Sequence, residues 1–192
     1  MNAPFSALAL ISEEEYLAAE ECATERHEYV DGMVFPVFHG MAGGTRAHAT
    51  VTGNVFASLH GALRGKSCRA YFENMKLRVN RGEEVRFFYP DVMVVCRPSE
   101  SEVWEDAPSV LIEVLSEGTE RMDMVEKRDA FFTIPSLSVY AMIDSRRREA
   151  VVWRRTDGEW KKETLDAGDA VIELPEIGCR LPLAAAYEGV LC

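Results

Sequence analysis

No two cysteines in this sequence stand at the Cys-x-x-Cys spacing of a structural zinc site. The five present are Cys22, Cys68, Cys96, Cys179 and Cys192, an odd number on a chain without a recognisable secretion signal. Reduced thiols that serve mainly as packing residues are the expectation. Long apolar runs are missing as well: the stretches 110–112 and 183–186 fall far short of the roughly 20 residues that cross a bilayer. The first residues show no basic region followed by an apolar one, and acidic residues come early at Glu13, Glu14 and Glu15, so a cytoplasmic location without membrane contact is expected. Positive charge is scarce, with 21 lysines and arginines against 32 aspartates and glutamates, a net charge of −11 and a pI near 4.9. That balance argues against broad adhesion to nucleic acid or anionic lipid, and leaves room only for a local basic surface. Repeats and low-complexity tracts are absent, as are a GxSxG elbow, a phosphate-binding glycine loop and an HExxH motif.

What is present suits a globular chain. Its 192 residues, 47% hydrophobic and 28% charged, can build one domain over 1–192 with a sizeable core. Ser12-Glu13-Glu14-Glu15 reads as a capping box opening a helix to about Glu21. A strand follows over 28–37, with Asp31-Gly32 as a turn or bulge inside it. Gly43-Gly44 releases the chain into a helix over about 45–63, with Val51, Val55, Leu59 and Ala62 on one face, ended by Gly65. Strands are predicted over 68–79, 85–96 and 109–115, the first two joined by Arg81-Gly82-Glu83. The third is apolar on both faces apart from one glutamate, the mark of a central strand. A helix over 120–133 stops at Pro135, and strands at 137–143 and 149–155 follow, with Asp157-Gly158 as a hairpin turn before Trp160. The last thirty residues read as turns, a short strand and a terminal helix. The fold class is α/β (α+β), a mixed β-sheet flanked by helices with an added C-terminal β-hairpin.

One constellation carries chemistry. Glu113 is a lone carboxylate within the apolar strand, sharing a face with Leu111 and Leu115. Burial of that kind requires a partner, a proton or a cation. Asp91 follows Pro90, which interrupts the strand and can aim the carboxylate into a cleft. If the two strands are neighbours, Asp91 and Glu113 converge, and with a backbone carbonyl and waters they make a suitable magnesium site. Lys127 shares a helix face with Asp123, Ala130 and Ile134, and Asp123 can pair with it. Glu113, Lys127 and Asp123 also suit a purely structural buried network. His48 lies on the apolar face of its helix, where a hydrogen-bonded core histidine is the ordinary role. Glu28, beside His27, is either a solvated residue or a further carboxylate for the site.

Taken together, 27–32, His48, Pro90-Asp91-Val92, Glu113 to Ser116, Asp123 with Lys127, and Val139-Tyr140 leading to Ile143-Asp144 resemble the Uma-two family of restriction-endonuclease-like proteins. That family lies within the PD-(D/E)XK nuclease superfamily, and the resemblance runs from about Ser12 to Leu191. It implies a restriction-endonuclease-like core and phosphodiester hydrolysis on DNA that depends on Mg2+ or Mn2+. Asp91 and Glu113 match the metal-binding carboxylates, and Val114 offers its carbonyl to the same ion. The superfamily's lysine position is occupied here by Leu115. Lys127 is the expected replacement and Lys76 the second choice; Glu28 and His48 support the site or touch substrate. The turn 116–119 departs from the family's proline-containing one. Basic runs at Arg64, Lys66 and Arg69, at 146–148, at 154–155 and at 161–162 ordinarily read as solvated faces; the alternative is that the last three, which lie along one predicted hairpin region, form a patch. A symmetric homodimer suits paired sites on a duplex. The alternative expectation is a module that keeps the nuclease fold, binds partners or nucleic acid, and has lost the chemistry.

Overall fold

The computed structural model describes residues 10–37, 45–82, 84–116 and 123–190, apart from the side chains of Asp123 and Met124. The chain begins with α1 (Glu13–Glu21), β1 (His27–Val30), β2 (Met33–Pro36), α2 (Arg46–Ala62), β3 (Arg69–Phe72), β4 (Lys76–Arg81), β5 (Glu84–Phe88) and β6 (Val92–Val95). It continues through β7 (Trp104–Glu105), β8 (Pro108–Leu115), α3 (Asp123–Phe132), β9 (Val139–Asp144), β10 (Ala150–Thr156), β11 (Glu159–Leu165), β12 (Val171–Leu174), β13 (Cys179–Pro182) and α4 (Leu183–Ala186). The fold is mixed α+β, as expected. Gly43-Gly44 and the 117–119 part of the loop after β8 lie outside the described residues.

Two larger sheets organise the molecule, in the orders β2-β1-β5-β4-β7 and β11-β10-β9-β8-β6-β3, and β12 pairs with β13 as a separate hairpin. Strand β8 is central, antiparallel to β6 and parallel to β9, which explains its nearly continuous apolarity. Side-chain alternation gives it two cores. Val110, Ile112 and Val114 face α2, α4 and β13, while Leu111 faces α3 and the Leu77, Val79 and Phe88 side chains of the other sheet. A smaller cluster joins Tyr16 of α1 to Tyr29 and Phe87.

The predicted strands 68–79 and 85–96 are each two strands, because both change sheet midway. β3 pairs with β6 in the six-stranded sheet, and β4 with β5 in the five-stranded one. At one crossing Pro90 removes a ladder donor; at the other, Glu73 takes a left-handed φ of 45°. The Glu73 N–H donates to the Asp91 carbonyl (3.3 Å), tying the two crossings together. Asp91 therefore sits where the sheets part.

Local signals account for the ends of the elements. The Ser12 capping box forms as read: Ser12 Oγ accepts from the Glu15 N–H, and the Glu15 carboxylate accepts from the Ser12 N–H. Asp31 (φ 50°) and Gly32 (φ 94°) make a two-residue turn between β1 and β2. The expectation of five reduced thiols is corrected, since Cys68 and Cys96 form a disulfide. Arg69 pairs with Val95, so the residues just beyond that pair, Cys68 and Cys96, meet across the same ladder. Cys22 and Cys179 are free. Among the described residues no helix is long and apolar enough to cross a membrane.

The basic runs do not gather into one patch. Arg154 pairs with Lys161 and Arg155 with Trp160, so period-two alternation sends Arg154 and Arg155 to opposite faces. Arg154 bonds the Glu176 carboxylate at 2.8 Å. Arg155 donates to the carbonyls of Phe132, Ile134 and Pro135, and Arg146 and Arg147 are held by Asp144.

A Cβ on Gly32 would meet the Leu10 side chain at 3.1 Å, at a φ that L-residues avoid. Gly32→Ala is expected to destabilise the protein by more than about 1 kcal/mol, read as a lower midpoint in urea unfolding. An unchanged midpoint would show that the β1–β2 turn does not constrain this end of the fold.

Candidate active site

The register of the central sheet brings the two carboxylates together. Val92 pairs with Ile112 in an antiparallel ladder, so the next residues, Asp91 and Glu113, face each other across β6 and β8 on the same side. Asp91 is buried, and its Oδ2 accepts a hydrogen bond from the Val114 N–H at 2.7 Å. The same oxygen lies 3.6 Å from Nε2 of His48, which reaches it from the first turn of α2. A Thr45 N-cap, whose hydroxyl accepts from the His48 N–H, fixes that turn.

Glu113 is the strained member. Its Oε1 is buried with no hydrogen-bond partner among the described residues. Burial first, then the neighbouring Asp91 carboxylate, push its pKa well above the usual carboxylate range; Lys127 opposes the shift and Glu28 adds to it. Lys127 projects from α3, whose Ala130 is buried, and its Nζ lies 2.7 Å from Glu28 Oε1 and 5.8 Å from the centre of the Phe88 ring. Residue 115 is a partly buried leucine, so the cation facing Glu113 comes from the helix. The Asp91 interaction raises the His48 pKa, with burial opposing and the Val114 backbone adding to the rise.

The structure thus brings Asp91, Glu113, Val114, Lys127, Glu28 and His48 to one place. Lys76 goes elsewhere: its ammonium lies 5.7 Å from the centre of the Tyr89 ring. Burial lowers its pKa, while Glu20 and Glu21 raise it. The Asp123–Lys127 pairing falls outside the described residues, because the Asp123 side chain is not among them.

A second polar cluster, not anticipated, adjoins the site. Buried Glu20 accepts hydrogen bonds from the His27 N–H (2.8 Å) and the Tyr89 hydroxyl (2.7 Å). Its other oxygen lies 3.0 Å from His27 Nδ1. Tyr16 donates to the His27 carbonyl at 2.6 Å. Glu20 is one helical turn after Tyr16, so the buried face of α1 could have pointed to it.

The resemblance read from the sequence implies magnesium or manganese at this site. Among the described residues no three His, Cys, Asp or Glu side chains are grouped to hold a metal by themselves. Two opposed carboxylates with one unpartnered buried oxygen nevertheless fit an ion completed by backbone oxygen, water and substrate.

Asp91 and Glu113 thus oppose each other at the centre of a mixed sheet flanked by helices. The chain belongs to the Uma2 family, described as "Putative restriction endonuclease", whose model matches residues 13–184. It is 30% identical over 192 residues to the protein slr1290 of Synechocystis sp., spanning 98% of this chain and 96% of that one. To sll1609 of the same organism it is 29% identical over 169 residues, spanning 85% and 92%. Its fold is similar to the crystal structure of a "putative nuclease belonging to DUF820" from Anabaena variabilis, with TM-score 0.72, 18% identity, and coverage of 94% and 99%.

The raised pKa values have a consequence for stability. A folded-state pKa above the unfolded one means that the native state holds protons the unfolded chain releases. For both groups, stability is present below the unfolded pKa and is lost as pH rises toward the folded value. The unfolded values are about 4.5 for Glu113 and 6.5 for His48. Glu113→Gln is therefore expected to raise the melting temperature of metal-free protein at pH 8, with the gain shrinking toward pH 5. A gain independent of pH, or a loss at pH 8, would contradict this electrostatic account.

Proposed function

We propose that the protein is a metal-dependent endonuclease that hydrolyses DNA phosphodiester bonds at Asp91 and Glu113. The observation that carries this reading is the opposed carboxylate pair, one member of which has a buried oxygen without a partner. Side by side, the two carboxyl groups hold a proton that Glu113 would otherwise lose, and a divalent cation can take that proton's place. Asp91, Glu113 and the Val114 carbonyl would hold the ion. What magnesium or manganese supplies there, when bound, is Lewis-acid polarisation of the phosphate and a more acidic attacking water.

The remaining work falls to the chain's own residues. Lys127, held by Glu28, presents a positive charge that stabilises the negative charge gathering on the phosphate in the transition state. His48 and the Val114 N–H orient the Asp91 carboxylate through Oδ2. Glu28 sets the position of the Lys127 ammonium, so that it costs little to arrange at the moment of reaction.

One observation favours a second reading. Leu115 stands where the superfamily has its lysine, and the cation that faces the site is already ion-paired with Glu28. A nuclease-fold module that binds nucleic acid without cutting it would tolerate both features.

Cleavage of a supercoiled plasmid with magnesium or manganese separates the two. Asp91→Asn and Glu113→Gln are expected to abolish cutting while the proteins melt cooperatively. Lys127→Met is expected to lower the rate by roughly 100-fold with little change in metal affinity. Undiminished cutting by folded Glu113→Gln would rule out the assignment. Cutting by neither the wild type nor any variant, with plasmid binding retained, would favour the noncatalytic module.

A further inference from the structure

The half-buried basic residues of the described chain are nearly all committed. Arg78 pairs with Glu13, Arg86 with Asp31, Lys127 with Glu28, Arg128 with Asp129 and Arg154 with Glu176. Arg155 is taken up by three carbonyls at the end of α3. Two remain. Arg26 forms no ion pair among the described residues; its Nη1 donates to the Glu73 carbonyl at 2.6 Å, which uses one of five guanidinium donors. Lys76 forms neither a hydrogen bond nor an ion pair there.

These two cations meet at one ring. The Arg26 guanidinium carbon and the Lys76 ammonium each lie 5.7 Å from the centre of the Tyr89 ring, so they are separated by no more than about twice that distance. Tyr89 is anchored by its hydroxyl on buried Glu20 at 2.7 Å and is itself buried. Glu20, which holds the Tyr89 hydroxyl, is engaged by His27 and Tyr89 and forms no ion pair with either cation among the described residues.

Their place in the chain ties them to the active site. Tyr89 is two residues before Asp91, and Arg26 is two residues before Glu28. Arg26 also grips the Glu73 carbonyl, and the Glu73 N–H holds the Asp91 carbonyl. Two cations kept at a fixed distance from two metal-binding carboxylates suit a polyanion with charges spaced along a strand. A single small anion would need only one such point.

We infer that Arg26 and Lys76 hold a backbone phosphate of the DNA strand, adjacent to the phosphate that reacts at Asp91 and Glu113. This rests on the endonuclease reading and adds to it where the strand runs: over the crossing of the two sheets, past Tyr89. It also explains how a chain of net charge −11 engages DNA, since a few placed cations replace a broad basic surface.

The test is fluorescence anisotropy of a labelled 20-base-pair DNA duplex across a salt series, with calcium in place of magnesium. Lys76→Gln breaks no hydrogen bond and is expected to fold as the wild type. It should weaken binding about three- to tenfold and lower the salt slope by about one. Arg26→Gln combined with Lys76→Gln should lower the slope by about two. Arg26→Lys, which keeps the charge, should recover most of the Arg26 loss. Lys161→Gln, the same charge change on the outer strand β11, should have no effect. Wild-type affinity and slope in the double variant would overturn the inference and leave the endonuclease reading standing. A wild type that binds no duplex even at low salt would overturn both.

Discussion

The arrangement depends on a carboxylate that the fold cannot make comfortable. Glu113 occupies the central strand β8, flanked by β6 and β9, and adjacent Leu111 and Ile112 are fully buried. The register that packs those neighbours also places Asp91 opposite Glu113. Moving the glutamate out of the interior would shift the strand by one residue and turn its apolar set to the wrong faces. Core packing therefore enforces an electrostatic conflict.

The surroundings answer that conflict in part. Lys127 opposes the rise in the Glu113 pKa, and Glu28 fixes the lysine while adding negative charge of its own. His48 and the Val114 N–H satisfy one oxygen of Asp91. Glu113 Oε1 is left over. Fully compensated buried networks are compatible with a structural role, whereas an uncompensated one stores a preference for a cation. This cluster lies where two paired strands pass from one sheet to the other.

Much of this was legible in the sequence, for identifiable reasons. Glu113 stands out because a charged residue interrupts a run of six that is otherwise apolar. The Asp31-Gly32 turn and the Ser12 cap are local chemistry, and local chemistry reads directly from neighbours. The change of sheet was not legible. Glu73-Asn74 interrupts 69–79 and Pro90 interrupts 85–95, but neither break tells that the ladder partner changes there. Cys68 and Cys96 are 28 residues apart, and only the β3–β6 register brings them together. Whether the basic runs share a surface depends on which strand face each residue takes, and Arg154 and Arg155, as neighbours on one strand, point to opposite faces. Glu20 and Arg26 escaped notice because their partners, Tyr89 and Glu73, are more than forty residues away.

The central claim is that Asp91 and Glu113 are a cation site. Calorimetric titration of manganese into the purified protein, beside Asp91→Ala and Glu113→Ala, tests it most directly. The account predicts binding by the wild type that each substitution removes, accompanied by proton release, since Glu113 must ionise to bind. Absence of binding by the wild type at millimolar manganese, or binding that survives in both variants, would contradict it and leave Glu113 and Lys127 as members of a structural network.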